Sequence, residues 1–328
     1  MSLSLQKEVD IPVIDISQFP SDYGEGGEGL NKLHHHSTAA TVRDACKELG
    51  FFRVVNTGIP TELLQNVENV IHELYAMPAE AKERAVTSNP VQSYMRSLSQ
   101  ETFCLMKMPR SDSLQQLTYK IWPDKGNLIF SETIETYTLA MADLQQKISK
   151  IIIASLGLDV TTFFDSDFQH CEAYMRLSRY SSNGRFTEDE GALFEHTDLA
   201  CFTILYQTNE GLQIRTKEGK WLNVKPIASS FVINVGDSLQ AWTNRRFRSA
   251  EHRVVFRGWT DRLSIAWFVH FPYDKEIWAP AEFVDANHPR YYRPFTFSQF
   301  KHYFDKNFRP KGINLLNLID SYAGIPTV

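Results

Sequence analysis

Two histidines and one aspartate offer the donor atoms of a metal site. His196 and Asp198 are two residues apart in an extended-looking apolar segment, and side chains two apart on a strand point to the same face. A second histidine, His252, follows later, after another strand-like run. Two imidazole nitrogens and one carboxylate oxygen form the facial triad that holds iron(II) and leaves three coordination positions open. The spacing therefore predicts an iron centre, with zinc at the same ligands as a weaker alternative.

A polar pair, Arg262 and Ser264, follows the second histidine and again has the spacing of one strand face. A guanidinium fork and a hydroxyl can bind the two oxygens of one carboxylate. A zinc hydrolase built on the triad would leave this pair without a role. The combination therefore favours iron together with a ligand that carries a carboxylate.

Strand alternation also predicts the lining of a pocket around the metal. If Arg262 faces inward, the same rule extends the lining along its own strand and along neighbouring strands. The residues on the predicted inward face are Ser264, Phe268 and His270, then Tyr180, Ser178 and Arg176, and finally Phe194 and Phe202, which flank the triad. The three phenylalanines would form aromatic walls, with Arg176 and His270 as polar handles. Such a pocket suits a mostly apolar small molecule.

Arg176 is the informative member of this lining. An arginine on an inward strand face is costly unless it is paired with an anion. Its partner is predicted to be a substrate carboxylate or an internal acid, and Glu172 and Glu195 are near it in sequence. His270 is open to a second interpretation, as an interior histidine whose hydrogen bonds are satisfied.

The elements that would position these residues change character along the chain. Helical spacing predicts helices at 38–49, 60–77 and 134–156, and another at 296–308. From residue 173 the period changes to two, which predicts strands at 173–180, 193–206, 211–215, 221–225, 231–235, 239–243, 252–257 and 262–271. Eight short strands with turns between them indicate a mainly β fold: a double-stranded β-helix, or jelly roll, flanked by N-terminal and C-terminal helices.

We expect residues 1–328 to form one domain. Residues 1–172 would be a supporting region, 173–271 the catalytic core and 272–328 a helical tail. Residues 86–126 show no clear period. They are compatible with a loop that contacts substrate or with a strand-and-turn layer packed on the core.

Composition excludes several classes of function. The net charge of −5, without a long basic run, argues against nucleic acid as the main partner. No apolar run approaches the length of about eighteen residues that a membrane span needs. The N-terminus has no basic and apolar signal pattern, and the four cysteines lack metal-binding spacing. We expect a cytoplasmic protein with reduced thiols, a small-molecule substrate and no obligate protein partner.

Several motifs along the chain resemble those of a known family. They are Ile11–Asp15, Gly50–Asn56, Gly58–Pro60, Met175–Tyr180 and the segment from His196 to Ser264. The chain resembles the plant 2-oxoglutarate- and iron(II)-dependent dioxygenases of the isopenicillin-N-synthase-like group, over nearly its whole length. The resemblance implies that His196, Asp198 and His252 bind iron and that Arg262, Ser264 and Tyr180 bind 2-oxoglutarate. Ser178 stands where the family commonly has asparagine, and we include it in the co-substrate site.

The family's chemistry implies that O2 and 2-oxoglutarate are consumed and that succinate and CO2 are formed. A C–H bond of the substrate is hydroxylated or desaturated, and ascorbate supports the enzyme. Phe231–Gln240 and Asn244–Ser249 are similar to gibberellin oxidases. Leu117–Pro123 and Gly219–Pro226 are instead similar to glucosinolate-side-chain and auxin-oxidising dioxygenases. An acidic, hormone-like substrate such as a gibberellin or auxin fits Arg176 in either case.

Three alternatives stay open at this point. The substrate could be a neutral specialised metabolite such as a flavonoid, alkaloid, terpenoid or glucosinolate. The enzyme could be a related iron oxidase that does not use 2-oxoglutarate. The chain could also be a binding module without catalytic activity on the same fold.

Overall fold

The computed structural model describes residues 11–17, 19, 30–87, 93–97, 99–109, 112–181, 191–256, 260–308 and 318–326. The strands are β1 (Val13–Asp15), β2 (Phe51–Val55), β3 (Tyr94–Arg96), β4 (Gln100–Met108), β5 (Glu172–Tyr180), β6 (Gly191–His196), β7 (Phe202–Gln207), β8 (Leu212–Arg215), β9 (Trp221–Asn223), β10 (Phe231–Val235), β11 (His252–Val255), β12 (Arg262–His270), β13 (Glu276–Ile277) and β14 (Phe295–Thr296). The helices are α1 (Leu30–Glu48), α2 (Thr61–Ala76), α3 (Ala79–Glu83), α4 (Ser113–Ile121), α5 (Leu128–Ser155), α6 (Val160–Phe163), α7 (Asp237–Trp242), α8 (Phe297–Phe308) and α9 (Leu318–Ala323).

A large sheet carries one wall of the fold. Its eight strands run in the order β1-β2-β10-β7-β12-β5-β4-β3, so strands from the N-terminal third of the chain lie at both edges. β12 pairs antiparallel with β5 along its whole length, from Arg262 opposite Tyr180 to His270 opposite Glu172. This register places the polar residues of the two strands side by side on one face.

A smaller sheet, in the order β6-β11-β8-β9, forms the opposite wall. An apolar cluster joins the two sheets: Phe51 and Val232 come from the large sheet, and Leu212 and Ile214 from the small one. The residues next to Phe51 and Val232 in sequence, Phe52 and Ile233, belong instead to the main core on the outer side of the large sheet. The large sheet therefore buries both faces, one against the small sheet and one against helices.

The longest helix, α5, covers the outer face of the large sheet. The predicted stripe of Met141, Leu144, Ile148, Ile151 and Ser155 is buried, as expected from its spacing. The Trp267 Nε1 of β12 donates a hydrogen bond of 2.8 Å to Gln145 Oε1 of α5, which satisfies both buried polar groups. Two facing sheets with flanking helices confirm the predicted jelly-roll class.

Two of the predicted strands differ from the structure. The predicted strand at 193–206 is divided, because β6 ends at His196 and a turn precedes β7 at Phe202. The predicted strand at 239–243 is wrong, because residues 239–242 belong to the helix α7, which spans Asp237–Trp242. Leu239, Ala241 and Trp242 are all buried, so this short apolar run shows no period that separates helix from strand.

The segment 86–126 contains β3, β4 and α4. β4 pairs antiparallel with β5, so this part of the chain extends the large sheet beside Arg176, which lies opposite Cys104. Of the two interpretations offered for it, the strand-and-turn layer is the one found in the described residues. No helix in the described ranges is long and apolar enough to cross a membrane.

Candidate metal centre and co-substrate pocket

Three side chains from two strands and a turn converge at one end of the small sheet. His196 ends β6, His252 begins β11, and the two residues are paired across the sheet. Asp198 lies in the turn after β6. The Nε2 atoms of both histidines are 3.7 Å from Asp198 Oδ1, and one ligand atom from each residue lies within 4.8 Å of the others. The predicted triad is therefore assembled in space.

Backbone carbonyls fix the orientation of both imidazoles. The Nδ1 of His196 is 2.8 Å from the carbonyl oxygen of Phe194, and the Nδ1 of His252 is 3.1 Å from that of Ala250. A protonated Nδ1 leaves the lone pair on Nε2, which is the arrangement that second-shell hydrogen bonds give to metal-binding histidines. Both Nε2 atoms therefore face Asp198 ready to bind a cation.

The second oxygen of the aspartate is held by two neighbouring strands. Asp198 Oδ2 accepts hydrogen bonds from Thr203 Oγ1 of β7 at 2.6 Å and from Asn234 Nδ2 of β10 at 2.8 Å. Thr203 and Asn234 are directly paired across these strands. Oδ1 is thereby left to the metal, while Oδ2 is committed to the protein. Neither Thr203 nor Asn234 was predicted from the sequence as a donor to Asp198.

The electrostatics of His196 and Asp198 suit metal binding at neutral pH. Burial lowers the pKa of His196 to about 4, and the nearby His252 acts in the same direction, so the His196 imidazole is neutral at pH 7. Burial opposes the charge of Asp198, but the two imidazoles and the two hydrogen bonds together lower its pKa. Two imidazoles and one carboxylate are the donor set of a non-haem iron(II) site, so these residues fit that metal.

A glycine allows the turn that carries Asp198 to approach β10 closely. A Cβ on Gly236 would lie 2.1 Å from the carbonyl oxygen of Ala200 and 3.0 Å from that of Asp198. The amide of Asp237 donates to the same Asp198 carbonyl at 2.7 Å. Any larger side chain at 236 would push the turn, and the metal ligand on it, away from the sheet.

Arg262 lies buried at the start of β12 with one free donor. Its Nη2 donates to Gln207 Oε1 at 2.8 Å, its Nε donates to the Asn209 carbonyl at 3.3 Å, and its guanidinium lies 5.1 Å from the centre of the Tyr180 ring. Its Nη1 is buried without a hydrogen-bond partner among the described residues. A buried cation with an unused N–H is suited to bind a carboxylate, because such a group is costly to leave unpaired.

The other predicted co-substrate residues share this face of the sheet. Ser264 lies opposite Ser178 in the pairing of β12 with β5, next to the pair formed by Arg262 and Tyr180. Ser178, Ser264 and Tyr180 are all buried, and Ser178 Oγ lies 3.0 Å from Thr102 Oγ1. The four residues predicted to bind 2-oxoglutarate therefore lie together.

Arg176 lies further along the same face, among aromatic rings. Its guanidinium carbon is 5.5 Å from the centre of the Phe268 ring and 5.7 Å from that of Tyr174, and these two rings are stacked 4.7 Å apart. The Phe268 that Arg176 contacts is paired with Thr203, which donates to Asp198, so the arginine lies on the sheet face that holds this metal ligand. Tyr174 was missed, although it has the same parity as Arg176.

No internal acid neutralises Arg176 in the described part of the chain. Its Nε is buried without a hydrogen-bond partner, and no carboxylate of a described residue lies within 4.0 Å. Of the two acids considered from the sequence, Glu195 is paired with Arg253 at 3.1 Å, and Glu172 makes no ion pair with Arg176. The half-buried guanidinium is therefore available to an anion.

Phe194 does not form a wall of an enclosed pocket, and this prediction is wrong. Its side chain is 85 % exposed. The reason is a β-bulge: His196 is paired with His252, but Leu193 is paired with Val254, so β6 contains one extra residue between these pairs. The extra residue breaks the alternation from which the inward position was inferred.

Phe202 also differs from its predicted place. It is fully buried in the main core on the outer side of the large sheet, while its neighbour Thr203 faces the metal ligand. The residues of the turn at 197–201 do not alternate between two faces as strand residues do. The orientation of a β7 side chain therefore cannot be inferred from that of His196. The inward position belongs to Thr203.

His270 is an interior histidine packed against the C-terminal helix. Its ring stacks on Phe297 at 4.4 Å with an angle of 6° between the planes, and its Nδ1 lies 2.8 Å from the Phe271 carbonyl oxygen. Burial lowers its pKa to about 4. The structure therefore supports the second interpretation given above, and not a polar handle in the pocket.

A jelly roll that holds two histidines and one carboxylate beside a buried, part-unpaired arginine defines the class of non-haem iron oxygenases. Comparison with known proteins makes this assignment specific. Residues 171–271 match the 2OG-Fe(II) oxygenase superfamily, and residues 11–125 match a domain described as the N-terminal part of a non-haem dioxygenase in morphine synthesis.

Relatives match along most of their lengths. A probable 2-oxoglutarate-dependent dioxygenase of Arabidopsis thaliana is 31 % identical over 299 residues, covering 90 % of both chains. Gibberellin 20 oxidase 1-D of Triticum aestivum is 30 % identical over 318 residues, covering 92 % of this chain and 84 % of the relative. The crystal structure of the rice dioxygenase for auxin oxidation superposes with a TM-score of 0.80 at 28 % identity, covering 96 % of this chain and all of the other.

The chain belongs to the 2-oxoglutarate- and iron(II)-dependent dioxygenases. It is therefore an oxidoreductase whose cofactors are iron(II) and 2-oxoglutarate, with O2 as the oxidant. The family, enzyme class and cofactors predicted from the sequence are confirmed.

Proposed function

We propose that this enzyme oxidises a C–H bond of a mostly apolar small molecule that carries a carboxylate, and that Arg176 binds this carboxylate. The observation that carries the proposal is the half-buried guanidinium of Arg176, whose Nε is fully buried, on the sheet face that holds Asp198 and without a carboxylate partner in the described part of the protein. A charge in that position is costly unless a ligand pairs with it.

Each residue of the site has a role in this proposal. His196, Asp198 and His252 hold the iron, and Thr203 keeps one oxygen of the aspartate turned away from it. With 2-oxoglutarate and O2, the bound metal would supply the power to oxidise a C–H bond: one oxygen atom goes to the substrate and the other to succinate, and CO2 is released. The protein's own contribution is to bind and orient the two organic molecules.

Arg262 is proposed to bind the far carboxylate of 2-oxoglutarate. Its Nη1 is the free donor, Ser264 supplies a hydroxyl on the same face, and Gln207 fixes the guanidinium from behind. Tyr180 and Ser178 complete this part of the site on β5. An arginine clamp of this kind holds the co-substrate in one orientation, which is where much of the rate enhancement by positioning originates.

The substrate is proposed to lie between this clamp and the aromatic pair formed by Tyr174 and Phe268. The two stacked rings offer a flat apolar surface, and the charge of Arg176 sits at its edge. Apolar walls exclude water from the reacting centre, which prevents side reactions. Because Arg176 fixes one end of the substrate, the distance from its carboxylate to the oxidised carbon would determine the position of reaction.

The named relatives are consistent with an acidic substrate. Gibberellins and indole auxins are carboxylic acids, and the relatives include a gibberellin 20 oxidase and a dioxygenase for auxin oxidation. We propose an acid of this general kind, with hydroxylation as the first outcome and ascorbate as a supporting reductant.

The test is to incubate the iron-loaded enzyme with 2-oxoglutarate, O2 and a matched panel of substrates. The panel contains gibberellins, indole-3-acetate, their methyl esters and neutral flavonoids and terpenoids. We expect one acid to gain the mass of an oxygen atom, with one succinate formed per product. Turnover confined to neutral compounds would overturn the proposed substrate class while leaving the family assignment intact.

We also propose that residues 1–328 are one domain. β2, from the N-terminal part of the chain, is hydrogen-bonded on one side to β1 and on the other to β10 of the catalytic region. The N-terminal region is thus a structural part of the sheet that holds the site.

A further inference from the structure

A second cavity, of about 900 Å³, lies apart from the strands that carry Arg176 and Arg262. It is formed by the C-terminal half of α1, the turn between β8 and β9 and the segment after α7. We call it the basic cleft, because its lining contains Arg43, Lys47, Lys217, Arg245, Arg246 and Arg248. This concentration of positive charge is unexpected on a chain whose net charge is −5.

Some of these cations are neutralised by nearby acids. Arg245 is paired with Asp320 at 2.7 Å, and Lys217 is paired with Glu48 at 2.8 Å. A further acid in the lining, Glu251, is already bound to Arg215, also at 2.7 Å. The remaining acid of the lining, Asp237, is buried, and its Oδ2 accepts a hydrogen bond from Thr197 Oγ1 at 3.1 Å. Among the described residues, none of these acids lies within ion-pair distance of Lys47, Arg246 or Arg248.

Three cations stay without a carboxylate within 4.0 Å in the described parts of the chain: Lys47, Arg246 and Arg248. Arg246 donates to the carbonyl of Phe283 at 2.9 Å, which leaves its charge uncompensated. Lys47 is exposed in the last turn of α1. Several cations that face one cavity repel each other, so their arrangement favours an anion between them.

Arg248 is held rigidly in this position. Its amide donates to the carbonyl of Cys46 in α1 at 3.1 Å, and its Nη2 donates to the carbonyl of Arg215 at 2.9 Å. Gly50, at φ +71°, makes the close packing possible, since a Cβ there would lie 2.3 Å from the Arg248 carbonyl oxygen. The contact brings Arg248 next to the last turn of α1, which carries Lys47.

The second amino group of the same guanidinium is not satisfied. Arg248 Nη1 is buried without a hydrogen-bond partner among the described residues. Burial lowers the pKa of Arg248, and the charges of Glu251 and Glu218 oppose this shift without reversing it. A buried N–H with no acceptor costs free energy, which a bound oxygen atom would recover.

We propose that the basic cleft binds the phosphate group of a small anionic ligand, at a site separate from the catalytic pocket. Arginine forks and lysine charges together recognise phosphate oxygens, which offer more acceptors and more charge than one carboxylate. A compact tetrahedral group carries oxygens on several sides, which suits cations that line one cavity from different elements of the fold. The inference does not depend on the proposed substrate.

The test is isothermal titration calorimetry of the full-length protein with inorganic phosphate, in the presence of saturating 2-oxoglutarate. The titration is done at low ionic strength, because salt at about 0.1 M screens charges beyond about 10 Å. We expect Lys47→Met and Arg248→Gln each to weaken phosphate binding by about tenfold, as the loss of one charge-assisted hydrogen bond does. Lys125→Met, an exposed lysine outside the cleft, is the matched control and should leave binding unchanged.

Citrate and the variant Arg176→Met distinguish the possible sources of a signal. Tighter binding of citrate than of phosphate would overturn the phosphate class. Loss of phosphate binding in Arg176→Met would place the anion in the catalytic pocket and overturn the separate site. The absence of phosphate binding by the wild-type protein, or equal binding by Lys47→Met and wild type, would also overturn the proposal. Lys47 is exposed, so its variant tests the cleft even if Arg248→Gln fails to fold.

Discussion

Replacing Arg176 by methionine separates its proposed role from a structural one. Methionine keeps an apolar, unbranched chain against Tyr174 and Phe268 and removes the charge. The guanidinium has no carboxylate partner within the described residues, so the change leaves no internal acid unpaired. It forfeits two contacts between a cation and an aromatic ring, each worth about 0.5–1 kcal/mol, and removes a half-buried charge whose desolvation opposes that loss. We expect the free energy of unfolding to change by less than about 1 kcal/mol.

The effect on activity should be much larger. Truncating one partner of a buried pair between a guanidinium and a carboxylate costs about 2–4 kcal/mol, which corresponds to a factor of about 30 to 1,000 in kcat/KM. The loss applies to acidic substrates only. A methyl ester presents no charge to Arg176, so its turnover should be low in the wild type and nearly unchanged in the variant. The preference for acid over ester should therefore disappear in Arg176→Met.

The assay measures kcat/KM for an accepted acid and for its methyl ester, with product detected by mass spectrometry and succinate as a second readout. Arg179→Met is the matched control on the same strand. Arg179 points to the opposite face and forms an ion pair with Glu101. Its removal should lower the free energy of unfolding by about 1–3 kcal/mol without changing the preference for acid over ester.

Two results would refute this reasoning. Equal turnover of acid and ester by the wild type would show that no cation binds the substrate carboxylate. A loss of several kcal/mol of stability in Arg176→Met, with the acid preference retained, would show that the arginine has a structural partner instead.

Four further predictions concern the metal, the co-substrate and the fold. Asp198→Ala should lose both iron binding, measured by metal analysis after anaerobic reconstitution, and turnover; full activity in this variant would contradict the triad. Arg262→Met should raise the apparent Kd for 2-oxoglutarate by about 10- to 100-fold and change iron affinity little, and equal losses of both would argue against a co-substrate clamp. Glu101→Gln should lower the free energy of unfolding by about 3–5 kcal/mol, measured by urea denaturation. The reason is that the buried ammonium of Lys82, which lies 2.7 Å from Glu101 Oε1, loses its counter-charge. A decrease below about 1 kcal/mol would contradict this. The pKa of His270 falls from 6.5 to about 4 on folding, so between these values the unfolded chain binds a proton that the folded chain does not, and stability falls as the pH is lowered. The unfolding free energy of the wild type should therefore fall by about 2 kcal/mol between about pH 7.5 and pH 5 on account of His270, and His270→Phe should abolish this contribution. The same pH profile in the variant and the wild type would contradict the lowered pKa of His270.

Alternation predicted which face of the sheet a side chain occupies wherever a strand was continuous, but not that Phe297 covers His270 at the end of β12. β5 and β12 run without interruption, so Arg176, Ser178 and Tyr180 share a face with Arg262 and Ser264. The same rule would have yielded Tyr174, had it been applied one step further along β5. The triad itself followed from residue types and spacing.

Alternation failed where the backbone was irregular. The bulge in β6 exposes Phe194, and the turn before β7 moves Phe202 into the outer core, while Thr203 takes the inward place. Neither irregular segment, 193–196 or 197–201, contains a glycine or proline from which the irregularity could be predicted. The donors to Asp198 could not be inferred for a different reason: Asn234 comes from a distant strand, and only the pairing of β7 with β10 brings it beside Thr203.

β2 connects the N-terminal part of the polypeptide to the candidate iron site. Phe51 of this strand is paired with Asn234 in the ladder and has its ring 5.5 Å from the ring of His252. Phe51 thus packs against the metal ligand His252, although it lies far upstream in the sequence. The same strand aligns β10, whose Asn234 donates to the metal ligand Asp198. Exchanging residues 171–271 between members of the family would therefore bring mismatched neighbours into contact with the iron site, so chimeric enzymes need this short upstream strand to come from the same parent.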